Sequence, residues 1–374
     1  MAQGYILIND FFTHPMRIFF LSSVFCVVLG CLSFFVAGDF VSFHKFAFLG
    51  LVCPLAYGGF LFTAVPDWTN FPGDLKKHSV AMFALFILSL VAMFLDLKFS
   101  YFFMGCFWLY LTIFILVLII RDRNDQNFSV ASILIAFCAF DFLYVFSGDE
   151  KFLNAQIHLN MIAILVVSFR VSIVMAKEAF KLEPDMNEAV FAPSFVYKNL
   201  AISAFVLLIA ALLLDASSQI VGFLALGCGF ILLARLSEWH HLCLLRHHFV
   251  IFYYLISLFS GVGYVWLGAS EILDLALSSN AIHLIALCVV MGVIMLIFNV
   301  AGLRHSGQEL VFLRLSRLAL VLLFAAGVSR SVLAIFSDKF YIGMPAVLFA
   351  VSFVLWAINF YAIFRDNEFT EDPE

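Results

Sequence analysis

Apolar residues in this chain run in long blocks separated by short polar breaks. The blocks fall at roughly 16–37, 44–65, 78–96, 100–120, 129–147, 156–176, 198–214, 218–236, 247–268, 281–301, 312–336 and 342–364. Each is close to the ~20 residues of helix that cross a hydrocarbon layer about 30 Å thick. Backbone groups in lipid must be paired within their own segment, and the runs are too long for barrel strands, so helix is the predicted form. Turn residues and charges mark the breaks: Pro66-Asp67, Pro72-Gly73-Asp74, Arg121-Asp122-Arg123-Asn124, Gly148-Asp149-Glu150 and Glu183-Pro184-Asp185. The longest break, about 177–197, reads as a surface loop. The predicted fold is all-α: a polytopic membrane protein of twelve transmembrane helices, in a single domain over residues 1–374.

Composition agrees with the pattern. The chain has 374 residues, 64% hydrophobic and 12% charged, against roughly 45–50% apolar and about 25% charged in a soluble domain. One core cannot hide that much apolar surface, so the lipid bilayer is the expected partner and nucleic acid is not. Residues 1–15 lack the basic start, short apolar core and cleavage site of a signal peptide. The first span is therefore expected to stay uncleaved. The eight cysteines fall singly, with no C-x-x-C, which argues against a disulfide or zinc framework.

Charge placement sets the predicted orientation. With twelve spans, Lys and Arg at 17, 76, 77, 121, 123, 170, 177, 181, 198, 235, 246, 304, 314, 317 and 365 fall on the side of the termini. Only 45, 98, 151, 330 and 339 fall on the other. The positive-inside rule then makes both termini cytoplasmic. Of the ten histidines, His44, His158 and His283 fall at the outer ends of the second, sixth and tenth spans. Those spans are four apart, so the chain is readable as three units of four. Only Ile-His-Leu recurs, at 157–159 and 282–284.

Imidazole is a common ligand for heme iron and for copper. Three imidazoles at one depth, excluded from water, are candidate metal ligands: His44, His158 and His283. Asp141 and Tyr144, one turn apart near the outer end of the fifth span, and Arg330, near that of the eleventh, reach the same layer. They are candidate cofactor-binding residues, since charge inside a span is costly. The planar fork of Arg330 suits heme propionates and suits Asp141 equally. The bland alternative for each histidine is an interfacial residue bonded to water or a carbonyl. Cys288, Met291 and Met295 form a sulfur stripe that Cu(I) would accept, and that packing explains as well. Arg170 lies about 18 Å along the helix from His158, where it can snorkel to the surface. The run SEWHHLCLLRHHF (237–249) reads either as a basic cytoplasmic loop or as a metal-capturing cluster. A Walker loop, G-x-G-x-x-G and C-x-x-C-H are absent, which argues against nucleotide-driven work and covalent heme.

The chain also resembles the NnrS family. GGFLFTAVPDWT (58–69) looks like that family's signature at the end of its second helix, with His44 placed 19 residues before Thr63. His283, Gly292 and Met295, then Leu303-Arg304-His305-Ser306-Gly307, resemble its tenth helix and the H-T-G loop that follows. Ser168-Phe169-Arg170-Val171 is similar to its G-G-R-V. Two stretches depart: Phe43-His44-Lys45-Phe46-Ala47 replaces W-H-x-H-E, so the second histidine and the acid are missing, and Arg304 replaces a glycine. The resemblance implies a heme- and copper-containing protein of the bacterial inner membrane, linked to nitric oxide metabolism and nitrosative-stress resistance. A looser likeness to the heme–copper oxidase core would make His44 and His283 axial heme ligands and His158 a copper ligand. The seventh span, ending LLLDASSQ, lacks the histidine pair that copper would need there. Redox turnover would require an electron donor that no motif specifies. The alternatives are a small-solute transporter or channel, with Pro54 and Gly58-Gly59 interrupting the second span, and a non-catalytic heme-handling protein using the 237–249 histidines.

Overall fold

A computed structural model describes residues 11–36, 39–69, 71, 73–183 and 191–367. Pro72 and the Pro184-Asp185 break lie outside the described residues. Among them the regular structure is helical, without strands. We number the long elements α1 (Pro15–Val36), α2 (Phe40–Lys45, Phe46–Val52 and Cys53–Trp68, continuous), α3 (Lys76–Ala92), α4 (Leu97–Asp122), α5 (Phe128–Ser147) and α6 (Lys151–Lys181). They continue as α7 (Phe195–Leu213), α8 (Ser218–Ala234), α9 (His248–Leu273), α10 (Ser278–Leu284, Ile285–Met291 and Gly292–Arg304, continuous), α11 (Arg314–Ser331) and α12 (Gly343–Asp366). Each apolar block thus appears as one helical element. Eleven helices among the described residues are long and apolar enough to cross a membrane; α3, at 17 residues, falls short, while α8, of the same length, is carried on by Arg235–Trp239 to a span of 22. α6, with 31 residues, extends to roughly 46 Å at 1.5 Å per residue. Its last turns outrun a ~30 Å hydrocarbon layer.

Two helices carry a feature the hydrophobic pattern does not encode. α2 passes into a π-helical stretch over Phe46–Val52, and α10 does so over Ile285–Met291. In their most apolar windows both helices are 78% buried, the highest share of any span. α2 is unbroken through Pro54, whose ring sits in the first turn of Cys53–Trp68. Gly58 and Gly59 give room to neighbours: a β-carbon on Gly58 would lie 2.7 Å from Phe107, and one on Gly59 2.9 Å from Phe20.

The chain divides into two compact units. The first comprises residues 1–156, 297–309 and 353–374. Its core includes Phe20 stacked on Phe298 at 3.9 Å and Trp356 stacked on Phe360 at 4.7 Å. Ser89 and Ser100 clasp α3 to α4, each hydroxyl donating to the other's carbonyl at 3.0 Å. The buried Arg17 donates from Nη2 to the Asn367 carbonyl at 2.8 Å.

The second unit comprises residues 157–296 and 310–352. Its closest helix approach is the α8–α9 pair, built on glycines spaced by seven. A β-carbon on Gly268 would lie 2.5 Å from the Gly222 carbonyl oxygen, and one on Gly229 would lie 2.9 Å from that of Gly261. Lipid is as apolar as leucine, so membrane helices associate by close fit, and small residues let backbones meet. Outward positions such as Leu200, Leu207, Ile220 and Phe223 are exposed and apolar, as a lipid-facing surface requires.

Candidate functional site

His283 lies in the second turn of α10, two residues before the π-helical stretch. Its Nδ1 stands 2.7 Å from the Ser279 carbonyl oxygen. A carbonyl only accepts, so Nδ1 carries the hydrogen and the lone pair is on Nε2. This is the tautomer a metal-ligating histidine needs, with the ring oriented by its second nitrogen. One turn away, Asn280 donates to the Ser331 carbonyl at 2.8 Å, tying this end of α10 to the end of α11. Arg330, the residue before Ser331, is buried. Its guanidinium lies 3.9 Å over the Tyr341 ring, and Nη1 has no hydrogen-bond partner among the described residues. A buried cationic donor without an acceptor is a strong preference for an anionic group.

His158 lies in the same unit and is buried. Its Nδ1 is 2.8 Å from the hydroxyl of Tyr264, on α9. Tyr264 is fully buried, with its ring 4.8 Å from Phe205. The direction of this bond decides what His158 does. With Nδ1 donating, Nε2 is a ligand nitrogen; with the tyrosine donating, Nε2 carries the hydrogen.

His44 belongs to the first unit. It is half-buried between Phe34, at 5.1 Å, and Phe48, at 4.9 Å. It too lies two residues before a π-helical stretch. The same offset in α2 and α10 makes these two histidines a matched pair. α6 is α-helical throughout, so His158 stands apart. Short π segments concentrate at functional positions because the extra residue re-aims the flanking side chains.

Asp141 accepts from Gln156 Nε2 at 2.5 Å, within the first unit, and Arg330 takes Tyr341. Tyr144 packs edge-on against Tyr101 at 4.9 Å. Cys288, Met291 and Met295 are all buried. Cys288 fills the space beside Gly327, and its thiol points to the Phe324 carbonyl at 3.9 Å. The stripe therefore packs, and the π segment breaks the α-helical phase on which its alignment rested. Of the 237–249 histidines, His240 and His241 lie ring against ring at 4.2 Å, and His247 and His248 each bond a residue from elsewhere in the chain. His247 bonds Glu183 at 3.0 Å, His248 accepts from Arg317 at 2.7 Å, and His240 meets the Glu238 carbonyl at 3.2 Å. Among the described residues no three His, Cys, Asp or Glu side chains are grouped to hold a metal ion.

The NnrS protein family matches residues 10–367, nearly the whole chain. The chain belongs to the NnrS family. No curated protein matches it. In this NnrS chain the two most family-like stretches close the two π-containing helices. Thr63 donates to the Gly59 carbonyl at 2.9 Å, and the Trp68 carbonyl accepts from Asn124 at 2.8 Å, anchoring the end of α2. At the end of α10, Gly307 takes a left-handed backbone, φ +66°, that favours glycine. The amide of Gly307 donates to Arg304 and that of Gln308 to Leu303, which caps the helix. The NnrS signature thus fixes the far ends of the helices whose near ends carry His44 and His283. Sequence reasoning missed Tyr264, Gln156 and Tyr101. Tyr264 and Tyr101 lie in apolar runs that read as lipid-facing or packing.

Proposed function

We propose that this chain is a heme-binding, multi-pass protein of the bacterial inner membrane that acts in nitric oxide metabolism or nitrosative-stress resistance. The observation that carries the reading is the His283–Arg330 end of α10 and α11. An imidazole with Nδ1–H committed to a backbone carbonyl presents Nε2 as ligand, and a buried guanidinium on the neighbouring helix has a donor to give a carboxylate. Those are the two demands of heme: an axial nitrogen and a propionate partner. His44, which stands in the same place before a π segment as His283, and His158 are the further candidate nitrogen ligands. Bound heme supplies an iron that takes up nitric oxide or passes electrons. The residues of this chain orient the ligand nitrogens, neutralise a propionate and exclude water. Copper is the other metal of this reading, with its nitrogen donors drawn from the same three histidines, and no step is assigned to it. α2 is continuous through Pro54 and Gly58-Gly59, so the transporter alternative rests on the twelve-helix layout and the possible repeat alone.

The test is an optical spectrum of full-length protein purified from heme-replete cells. A Soret band is expected, lost on His283→Ala and on His44→Ala. Arg330→Leu should weaken heme retention by about tenfold or more, the weight of a charge-assisted hydrogen bond. A colourless wild-type preparation would overturn the reading.

A further inference from the structure

The first unit buries a carboxyl group on which no cation among the described residues acts. Asp141 is fully inaccessible, halfway along the outer part of α5. One oxygen, Oδ1, accepts from Gln156 Nε2 at 2.5 Å. The other, Oδ2, is buried and has no hydrogen-bond partner among the described residues. The Tyr101 hydroxyl, on α4, is likewise buried and without a hydrogen-bond partner. The groups shown to touch or act on the carboxyl are neutral: Gln156 donates to it, and Tyr101 on α4 and Cys138 on α5 interact with it electrostatically. An ion pair, Lys45–Glu150 at 2.6 Å, is partly exposed at the end of the helices. Tyr101 interacts electrostatically with both Asp141 and Glu150.

A carboxylate in such surroundings would lack both solvation and a counter-charge, and a buried unpaired charge is among the most costly arrangements a fold can hold. The neutral acid has neither cost. In it Oδ1 still accepts from the amide of Gln156, and Oδ2 carries a proton that it can pass on. Intramembrane acids of this kind mark proton-handling positions more often than structural ones. We propose that Asp141, with Gln156 and Tyr101, forms a proton-binding site inside the first unit, holding its proton on Oδ2 and exchanging it by way of the Tyr101 hydroxyl with water at the Lys45–Glu150 end. On release the Oδ2–H bond breaks, the proton passes to water as hydronium, and the carboxylate keeps the Gln156 hydrogen bond. The site needs no heme, so it stands or falls apart from the preceding reading.

Infrared difference spectroscopy of the full-length protein in lipid nanodiscs, stepped in pH, reads this directly. The wild type should show a protonated-carboxyl stretch that shifts on carbon-13 aspartate labelling and disappears reversibly as pH rises. Asp141→Asn should lose the band. Asp141→Glu should keep a displaced band that no longer responds to labelled aspartate. Tyr101→Phe should keep the band but slow its response to a pH jump. The proposal is overturned if the wild type shows no such band, if Asp141→Asn leaves it intact, or if the band ignores pH throughout the folded range. It is also overturned if the carboxyl signal follows sodium or potassium exchange in place of pH, which would make the site a cation site.

Discussion

At the scale of single residues, hydrogen-bond direction is what separates a ligand from a packed ring. For His283 the direction of the bond is fixed by chemistry alone, because Ser279 offers only a carbonyl oxygen. His158 is set by Tyr264, and that dependence is testable. Tyr264→Phe leaves a buried ring nitrogen without its partner, which should cost about 1–3 kcal/mol and lower the thermal midpoint. If His158 is a ligand, the same variant should also alter the optical spectrum; an unaltered spectrum with a lowered midpoint would assign the pair to structure alone. The chain pattern showed where these histidines stand, since polar residues at the ends of apolar blocks are conspicuous. It did not show their partners. Gln156 sits among apolar residues at the head of α6, and nothing in the run LNAQIHLN says that its amide faces Asp141 across a turn.

At the scale of elements, the π stretches in α2 and α10 are the feature most tied to the candidate site. Each inserts an extra residue between the histidine and the rest of its helix. Deleting Leu49 from α2, or Leu287 from α10, should restore regular winding and turn the histidine end by about 100° relative to the remainder. Helix content by circular dichroism should be unchanged while heme retention falls to the level of the alanine variants. Retention at the wild-type level would mean that the re-aiming is unimportant. Hydrophobic blocks predicted the extent of α2 and α10 well, but a π turn has the same apolar composition as the α turns beside it, so block reading passes over it. The glycines of α8 and α9 were legible in principle, as a seven-residue spacing at 222 and 229 and again at 261 and 268. Gly268→Leu forces a side chain into backbone and should destabilise the fold by at least ~1–3 kcal/mol, the usual cost of overpacking. Gly227→Leu, where a β-carbon meets nothing within 4 Å, should be close to neutral; both are read by thermal unfolding in detergent.

At the scale of the whole molecule, an all-helical membrane fold was legible because the bilayer imposes it: long apolar runs leave only helices or a closed barrel. The division into two compact units was not legible, because it depends on residues 297–309 and 353–374 joining the first half of the chain. No local pattern announces such a return. The charge bias predicts that the termini and the 237–249 connection share one side, with Lys151 and Lys339 on the other. Impermeant lysine labelling of intact cells should therefore modify Lys151 and Lys339 but spare Lys76 and Lys177. Labelling of the second pair would reverse the orientation.

The glycine-lined seam between α8 and α9 carries a consequence for how the chain can be divided. The two helices recognise each other by shape, without any help from greasiness, so the peptide link joining them is not what keeps them together. A gene cut within Leu242–Arg246, with the two fragments made separately in one cell, should still yield a joined protein, because each half carries one side of the lock.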